Sequence, residues 1–308
     1  PLIVATLPFG HRCSTDHRPT MIWLILSVIS SVSVALLLKY ADVRRVDPFP
    51  LFSINYAMAT SLGLLGGGAD VAREPAAAIA LAILIGLFYV LGFLVFRRSI
   101  VTNGTGVAAS VSRLSVILPI LLSVIAFGEV LGAVGTIGVV VGIAVLPFAG
   151  GGERTDYTRN LGDQRSISSI LLPLALFFVF GVNDSALKVR VELLSSSSEG
   201  GFFAILFGTA LLISLFLALI RRQRYRRETL LLGAPLGAVN FGTALFLSRA
   251  LEQLPGSLVF TLNSVGVILG ATIAGGLLFN ERLTPRTYLF LAGSVISIIL
   301  LGGVAARQ

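Results

Sequence analysis

Arg113 lies in the stretch Ser112-Arg113-Leu114-Ser115, about ten residues into a mostly apolar run from Gly104 to Ala126. Insertion scales put the cost of a guanidinium near the middle of a membrane helix at roughly 2.5–3.5 kcal/mol, so an anion or an equivalent acceptor must compensate it. One reading makes Arg113 a contact for a substrate carboxylate or phosphate. The other gives it a structural partner, Asp184 or the carbonyls of a broken helix. Asn183, Asp184 and Lys188 close a second apolar run. Asp184 and Lys188 have the i, i+4 spacing of a helical ion pair, whereas deeper burial would make Asp184 a protonatable coupling group. Asn55, Tyr56, Asn240 and Asn263 are isolated polar groups in further apolar runs. Taken singly, each suits an interhelical hydrogen bond worth about 0.6–2 kcal/mol. Facing one cavity, they would line a binding site.

The elements that must position these residues follow from composition. Hydrophobic residues make up 55% of the 308, charged residues 12%, and the mean hydropathy is +0.93. A water-soluble core of this size could not hide so much apolar surface, so the runs meet lipid. The net charge of +8 does not indicate nucleic-acid binding, because the bases punctuate apolar segments instead of covering one face of a folded domain. A spanning helix needs about 20 mostly apolar residues. Ten segments meet that template, near 21–38, 50–68, 77–96, 104–126, 130–149, 168–187, 202–220, 229–249, 256–278 and 287–305. Residues 150–167 are polar, glycine-rich and charged, and read as a linker between halves 21–149 and 168–305. Residues 1–20 read as a disordered N-terminal extension; His11, Cys13, Asp16 and His17 within it match no standard metal spacing.

Lys and Arg are retained in cytoplasmic loops. The odd-numbered loops and the linker hold 15 of them, and the termini with the even loops hold 7. That asymmetry predicts both termini outside. An offset of 152 residues aligns the fourth span with the ninth without a gap: Gly104 meets Gly256, Ser112 meets Ser264, Glu129 meets Glu281 and Leu131 meets Leu283. A five-helix repeat crosses the bilayer an odd number of times, so its second copy inserts upside down, the plan of many secondary transporters. The fold expected is therefore all-α, with ten transmembrane helices in two inverted repeats.

Each copy of that alignment is a long apolar helix closing on Gly128-Glu129-Val130-Leu131 or Asn280-Glu281-Arg282-Leu283, followed by a glycine-bearing helix with Gly138 and Gly142 or Gly293. In these residues the chain resembles the EamA-like ten-helix branch of the drug/metabolite transporter superfamily, over roughly residues 21–305. The resemblance implies transport of a small molecule, often export. Members of that branch are generally drawn with cytoplasmic termini, the reverse of the charge asymmetry. Glu129 and Glu281 are expected to fix the tight turn between the last two helices of each half. Gly138 with Gly142, Gly233 with Gly237 and Gly266 with Gly270 are spaced for close helix packing. Pro119 and Pro235 could kink their helices and free carbonyls toward a cavity.

Other activities find less support. Both histidines precede Met21, no carboxylate cluster lies within the spans, and the two lysines sit at helix ends. A metal-dependent or Ser/Lys intramembrane enzyme therefore lacks its parts. No glycine loop ending in Gly-Lys-Ser/Thr is present for ATP. No catalytic residue, metal or cofactor is expected. The expected partners are a small-molecule substrate, anionic or zwitterionic because of Arg113, and the lipid bilayer, with no nucleic acid; a homodimer is left open. A channel, a lipid flippase and a non-enzymatic scaffold are the alternatives.

Overall fold

The computed structural model describes residues 20–103, 108, 111–112, 114–130, 132–145, 168–194 and 196–279, with helical stretches at 288–289, 292–293, 295–297 and 299–301. Arg113, Glu281, the linker and the N-terminal extension up to residue 19 lie outside them. Every regular element among the described residues is helical. In chain order they are α1 (Thr20–Val43), α2 (Pro48–Gly67), a 3-10 helix (Gly68–Arg73), α3 (Ala76–Asn103), α4 (Ile117–Ile125), α5 (Gly132–Val145), α6 (Ser168–Leu193), α7 (Glu199–Ile220), α8 (Arg227–Gln253) and α9 (Gly256–Phe279).

Six of these, α1, α3, α6, α7, α8 and α9, are long and apolar enough to cross a membrane; α5 is apolar but only 14 residues long. Prolines mark several starts: Pro48 opens α2, while Pro75 and Pro255 immediately precede α3 and α9. Proline suits a first helical turn because its missing N–H is one that the helix leaves unbonded. Large apolar side chains such as Leu65, Ile125, Leu212, Leu219 and Leu277 are exposed. In a membrane these face lipid.

The fourth span departs from the expected continuous helix of 104–126. Residues 115 and 116 form a turn before α4. The Ser115 carbonyl accepts from the Leu118 amide at 3.0 Å, and the Ser115 hydroxyl donates to the Ser112 carbonyl at 2.7 Å. Pro119 has no N–H to return to Ser115, so the regular ladder cannot run through this point. Pro235, by contrast, lies inside an uninterrupted α8.

Packing centres on the crossing of α2 with α7. Gly63 faces Ala204 and Gly67 faces Gly200, so two backbones approach with no side chain between them. On α8, Gly233 and Gly237 admit Ile54 and the Asn55 carbonyl of α2. On α9, Gly266 and Gly270 admit Val28 and Val32 of α1, and on α5, Gly138 and Gly142 face Leu301 and Ser297. Small residues allow this proximity, and dispersion contacts hold it, because lipid supplies no hydrophobic drive between helices.

The contacts form related pairs. α1 packs on α8 and α3 on α6; α2 packs on α8 and α3 on α7; α1 lies against α9 and α4 against α6. Exchanging α1 with α6, α2 with α7, α3 with α8 and α4 with α9 converts the first contact of each pair into the second.

Candidate functional site

The start of α4, just after the break, faces α6, where Gly181 lies against Leu118. One turn onward α6 presents Asn183 and Asp184. The Asn183 Oδ1 atom is buried with no hydrogen-bond partner, which is costly in an apolar interior unless a ligand or water supplies a donor. Tyr89 of α3 lies within electrostatic range of Asp184. From Tyr89 an aromatic wall continues across the contact between α2 and α7. Tyr89 meets Tyr56 at 6.4 Å and Phe207 at 5.8 Å between ring centroids, Tyr56 stacks on Phe207 at 6.3 Å, and Phe203 and Phe241 extend the group. Tyr56, Phe203 and Phe207 are buried in the core with Tyr89 and Phe241 packed against them, so these rings fill the interior around the α2–α7 crossing.

The remaining polar residues are tied elsewhere. Asn240 donates through Nδ2 to Asn55 Oδ1 at 3.3 Å, joining α8 to α2. Asn263 accepts from the Ser27 hydroxyl at 3.2 Å, joining α9 to α1. Of the sequence-derived set, Asn55 with Asn240 and Asn263 with Ser27 thus form interhelical bonds, Asn183 and Asp184 follow Gly181 at the contact of α6 with Leu118, Tyr56 lies in the aromatic group, and Arg113 is outside the described residues. Tyr89, a phenol in an apolar run like Tyr56, carries the same sequence signal and was missed, whereas Phe207 carries none.

Lys188 does not follow its i, i+4 spacing toward Asp184. It is buried, with Nζ 2.8 Å from Glu129 Oε1 and 2.6 Å from Glu192 Oε1. The physical reason is that the loop between α4 and α5 carries Glu129 to the same end of the bundle as the last turns of α6. Positive φ angles of 65° at Gly128 and Gly132 bracket that loop, a conformation glycine adopts freely. The Glu129 carboxylate does not turn back on its own loop. Oε1 accepts from the Gly256 amide at 2.7 Å, and Oε2 accepts from the Ser257 amide at 3.0 Å and its hydroxyl at 2.7 Å. It thus caps the N-terminus of α9, whose first amides have no partner within the helix. Burial works to raise the Glu129 pKa, but Lys188 and the donors at 256 and 257 outweigh it and hold the carboxylate below its ordinary value.

Two further caps cross between halves. Glu74, between α2 and α3, accepts through Oε1 from the Ser198 amide and hydroxyl, both at 2.8 Å, where α7 begins. At the opposite end of the bundle Gln223, between α7 and α8, accepts from the Phe49 amide at 3.2 Å, in the first turn of α2. Positions 74 and 223, and positions 49 and 198, are each 149 apart.

A chain whose described residues form helices, six of them apolar and of membrane length, is a multi-pass membrane protein. Residues 18–148 match the family model of the EamA-like transporter family, and the resemblance to the drug/metabolite transporter superfamily is borne out; these families are transporters, not enzymes. An uncharacterized protein of Haemophilus influenzae is 27% identical over 294 residues, spanning 90% of this chain and 96% of that protein. A protein of known crystal structure is similar with a TM-score of 0.71 at 16% identity, covering 94% of this chain and 95% of its own. That likeness concerns the fold.

Proposed function

We propose that this protein is a ten-helix secondary transporter that moves a small metabolite outward by alternating access between two inverted halves, residues 21–149 and 168–305. The observation that carries the reading is the reciprocal capping of α7 by Glu74 and of α2 by Gln223. Each half closes a helix start of the other, at opposite ends, through positions related by one sequence shift. The exchange symmetry of the helix contacts supports the same plan. The break before α4, with Asn183, Asp184, Tyr89 and Tyr56, is the substrate site in this reading. Asp184 and the phenol groups suit an ammonium group, and Arg113 on the same span suits a carboxylate, so an amino-acid-like zwitterion is the substrate class.

Thermal stabilisation of the purified protein across a metabolite panel, followed by flux of the stabilising compound in proteoliposomes, tests this. Arg113→Ala and Asp184→Asn are each expected to lower flux about tenfold or more, since a lost charge-assisted contact costs roughly 1.5–3 kcal/mol. Wild-type rates in both variants, or no flux under any gradient, would overturn the assignment.

The orientation proposed places the end bearing Arg44, Arg97, Arg222 and Arg224 in the cytoplasm. In a Cys13→Ser background, a membrane-impermeant thiol reagent added to intact cells should label Arg73→Cys and spare Arg224→Cys. The opposite pattern would invert the topology.

A further inference from the structure

Exposed arginines gather at the end of the bundle where α1 and α7 finish and α2 and α8 begin. Arg44 and Arg45 follow α1, and five more lie among the seven residues 221–227 that join α7 to α8. Gln223 fastens the two connections together by accepting from the Phe49 amide. Arg97 and Arg98 stand at the same end, one turn past Phe93 of α3, which packs on Phe49 and Phe52 at the start of α2. Only Asp42, Asp47 and Glu228 oppose these nine among the described residues there. The sequence of the 150–167 linker, with three acidic and three basic residues, would not alter that balance. At the opposite end the bases are matched: Lys188 pairs with Glu129 and Glu192, Arg190 with Glu252, and Arg249 with Glu199. Among the described residues none of the nine arginines has a carboxylate partner, and Arg44 donates to the Tyr40 hydroxyl at 2.7 Å instead.

Helix ends account for part of this charge. Arg45 and Arg222 close α1 and α7 in the left-handed conformation, with φ of 52° and 49°, and the next amides return to the carbonyls of Ala41 and Ala218 at 3.1 Å each. There, and at the adjoining Arg44 and Arg221, a cation answers the negative end of a helix dipole. Arg224, Arg226 and Arg227 have no such partner. Arg226 and Arg227 stand where α8 begins, at the end where its dipole is positive, so they add like charge to like. The bias that orients a membrane chain acts while it inserts. The folded protein must still compensate the charges it leaves crowded together. What can do so is set by depth. Leu219, Ile220, Leu230 and Leu231 flank the 221–227 connection and are 57–65% exposed, so in a membrane they face acyl chains. The arginines between them therefore stand level with lipid headgroups, as does Tyr225, itself 48% exposed. A guanidinium fork pairs two N–H groups with two phosphate oxygens.

We propose that the connections 43–48 and 221–227 form one docking surface for the phosphate headgroups of anionic phospholipids, centred on Arg224, Arg226 and Arg227. The first connection belongs to residues 21–149 and the second to residues 168–305. Lipid held across both favours the arrangement in which Gln223 and Phe49 are joined. This binding does not rest on the transporter reading.

The full-length protein in nanodiscs of phosphatidylcholine, alone or mixed with phosphatidylglycerol, tests the surface through its unfolding midpoint and through the lipids retained in native mass spectrometry. Phosphatidylglycerol is expected to raise the midpoint and to be retained in preference to phosphatidylcholine, and added salt to reverse both effects. Arg224→Gln combined with Arg227→Gln should lose most of the shift and of the retention. Arg97→Gln combined with Arg98→Gln removes the same charge at the same end and should keep most of both. All four side chains are exposed, so midpoints in phosphatidylcholine should match wild type; if the first pair fails to fold, displacement of phosphatidylcholine by phosphatidylglycerol on the wild-type protein still decides. No preference for phosphatidylglycerol in wild type would overturn the proposal, and equal losses in the two pairs would reduce the surface to diffuse charge. Inorganic phosphate that stabilised the protein in phosphatidylcholine as much as phosphatidylglycerol does would overturn lipid as the occupant.

Discussion

Glu129→Ala is expected to destabilise the protein by about 3–5 kcal/mol, the range for removing one member of a buried ion pair. Three losses act together. Lys188 keeps only Glu192, a third exposed, as counter-charge; the first amides of α9 lose their acceptor; and the loop between α4 and α5 loses its anchor on the second half. Lys188→Met should cost less, because Glu129 would still cap α9. Combining the two should cost less than their sum, since the lysine is no longer left behind as a poorly compensated charge. Unfolding midpoints in a mixed detergent titration measure all three. Equal, additive losses would show that Glu129 and Lys188 do not act as a unit.

The same pair predicts a response to acid. The Glu129 carboxylate titrates below its ordinary value in the folded protein. Its contribution is therefore complete above the ordinary carboxylate pKa and fades as pH falls through the lower folded value. Lys188→Met removes the largest of the opposing influences that hold Glu129 low, so the acid-dependent part of stability should shrink in that variant.

What can be read from the chain is set by the range over which each signal acts. Membrane-length helices are coded locally by hydropathy, so α1, α3 and α6 to α9 fall where the apolar runs predict them. The break in the fourth span lies four residues before its cause: Ser115 and Val116 carry no turn signature, and Pro119 removes a donor that would have reached back to them. Charge pairs are harder. Spacing on one helix favours Asp184 for Lys188, but the partner that prevails comes from a loop 59 positions earlier in the chain, and only the fold brings it there. The repeat singles out Glu129 and suggests a role in its own turn, whereas its carboxylate serves a helix in the other half. Glu74 and Gln223 carry no sequence signal, because loops of different composition hide the 149-residue relation between them. Their kinship appears only once both are seen capping helices at opposite ends.

Gly200→Val is expected to have the second large effect, and it separates packing from polar fastening at the α2–α7 crossing. A Cβ at Gly200 would collide with the Gly67 amide nitrogen and come within 2.6 Å of the Gly66 carbonyl carbon. Both obstacles are backbone, so no rotamer change relieves them. Overpacking of well-packed cores costs about 1–3 kcal/mol, occasionally more, when side chains can shift; here the two helices must separate, taking the adjacent Gly63–Ala204 contact with them. Loss of most folded protein, or a fall in unfolding midpoint exceeding that of Glu74→Gln, is the expected result. Gly208→Ala on the same helix is the control, since its nearest neighbour would lie at 3.8 Å, an ordinary contact. If Gly200→Val folded as well as Gly208→Ala, the two helices would have to stand farther apart than the structure places them. The Glu74–Ser198 cap would then have to span that gap, and Glu74→Gln should in that case weaken the crossing more than the glycine substitution does.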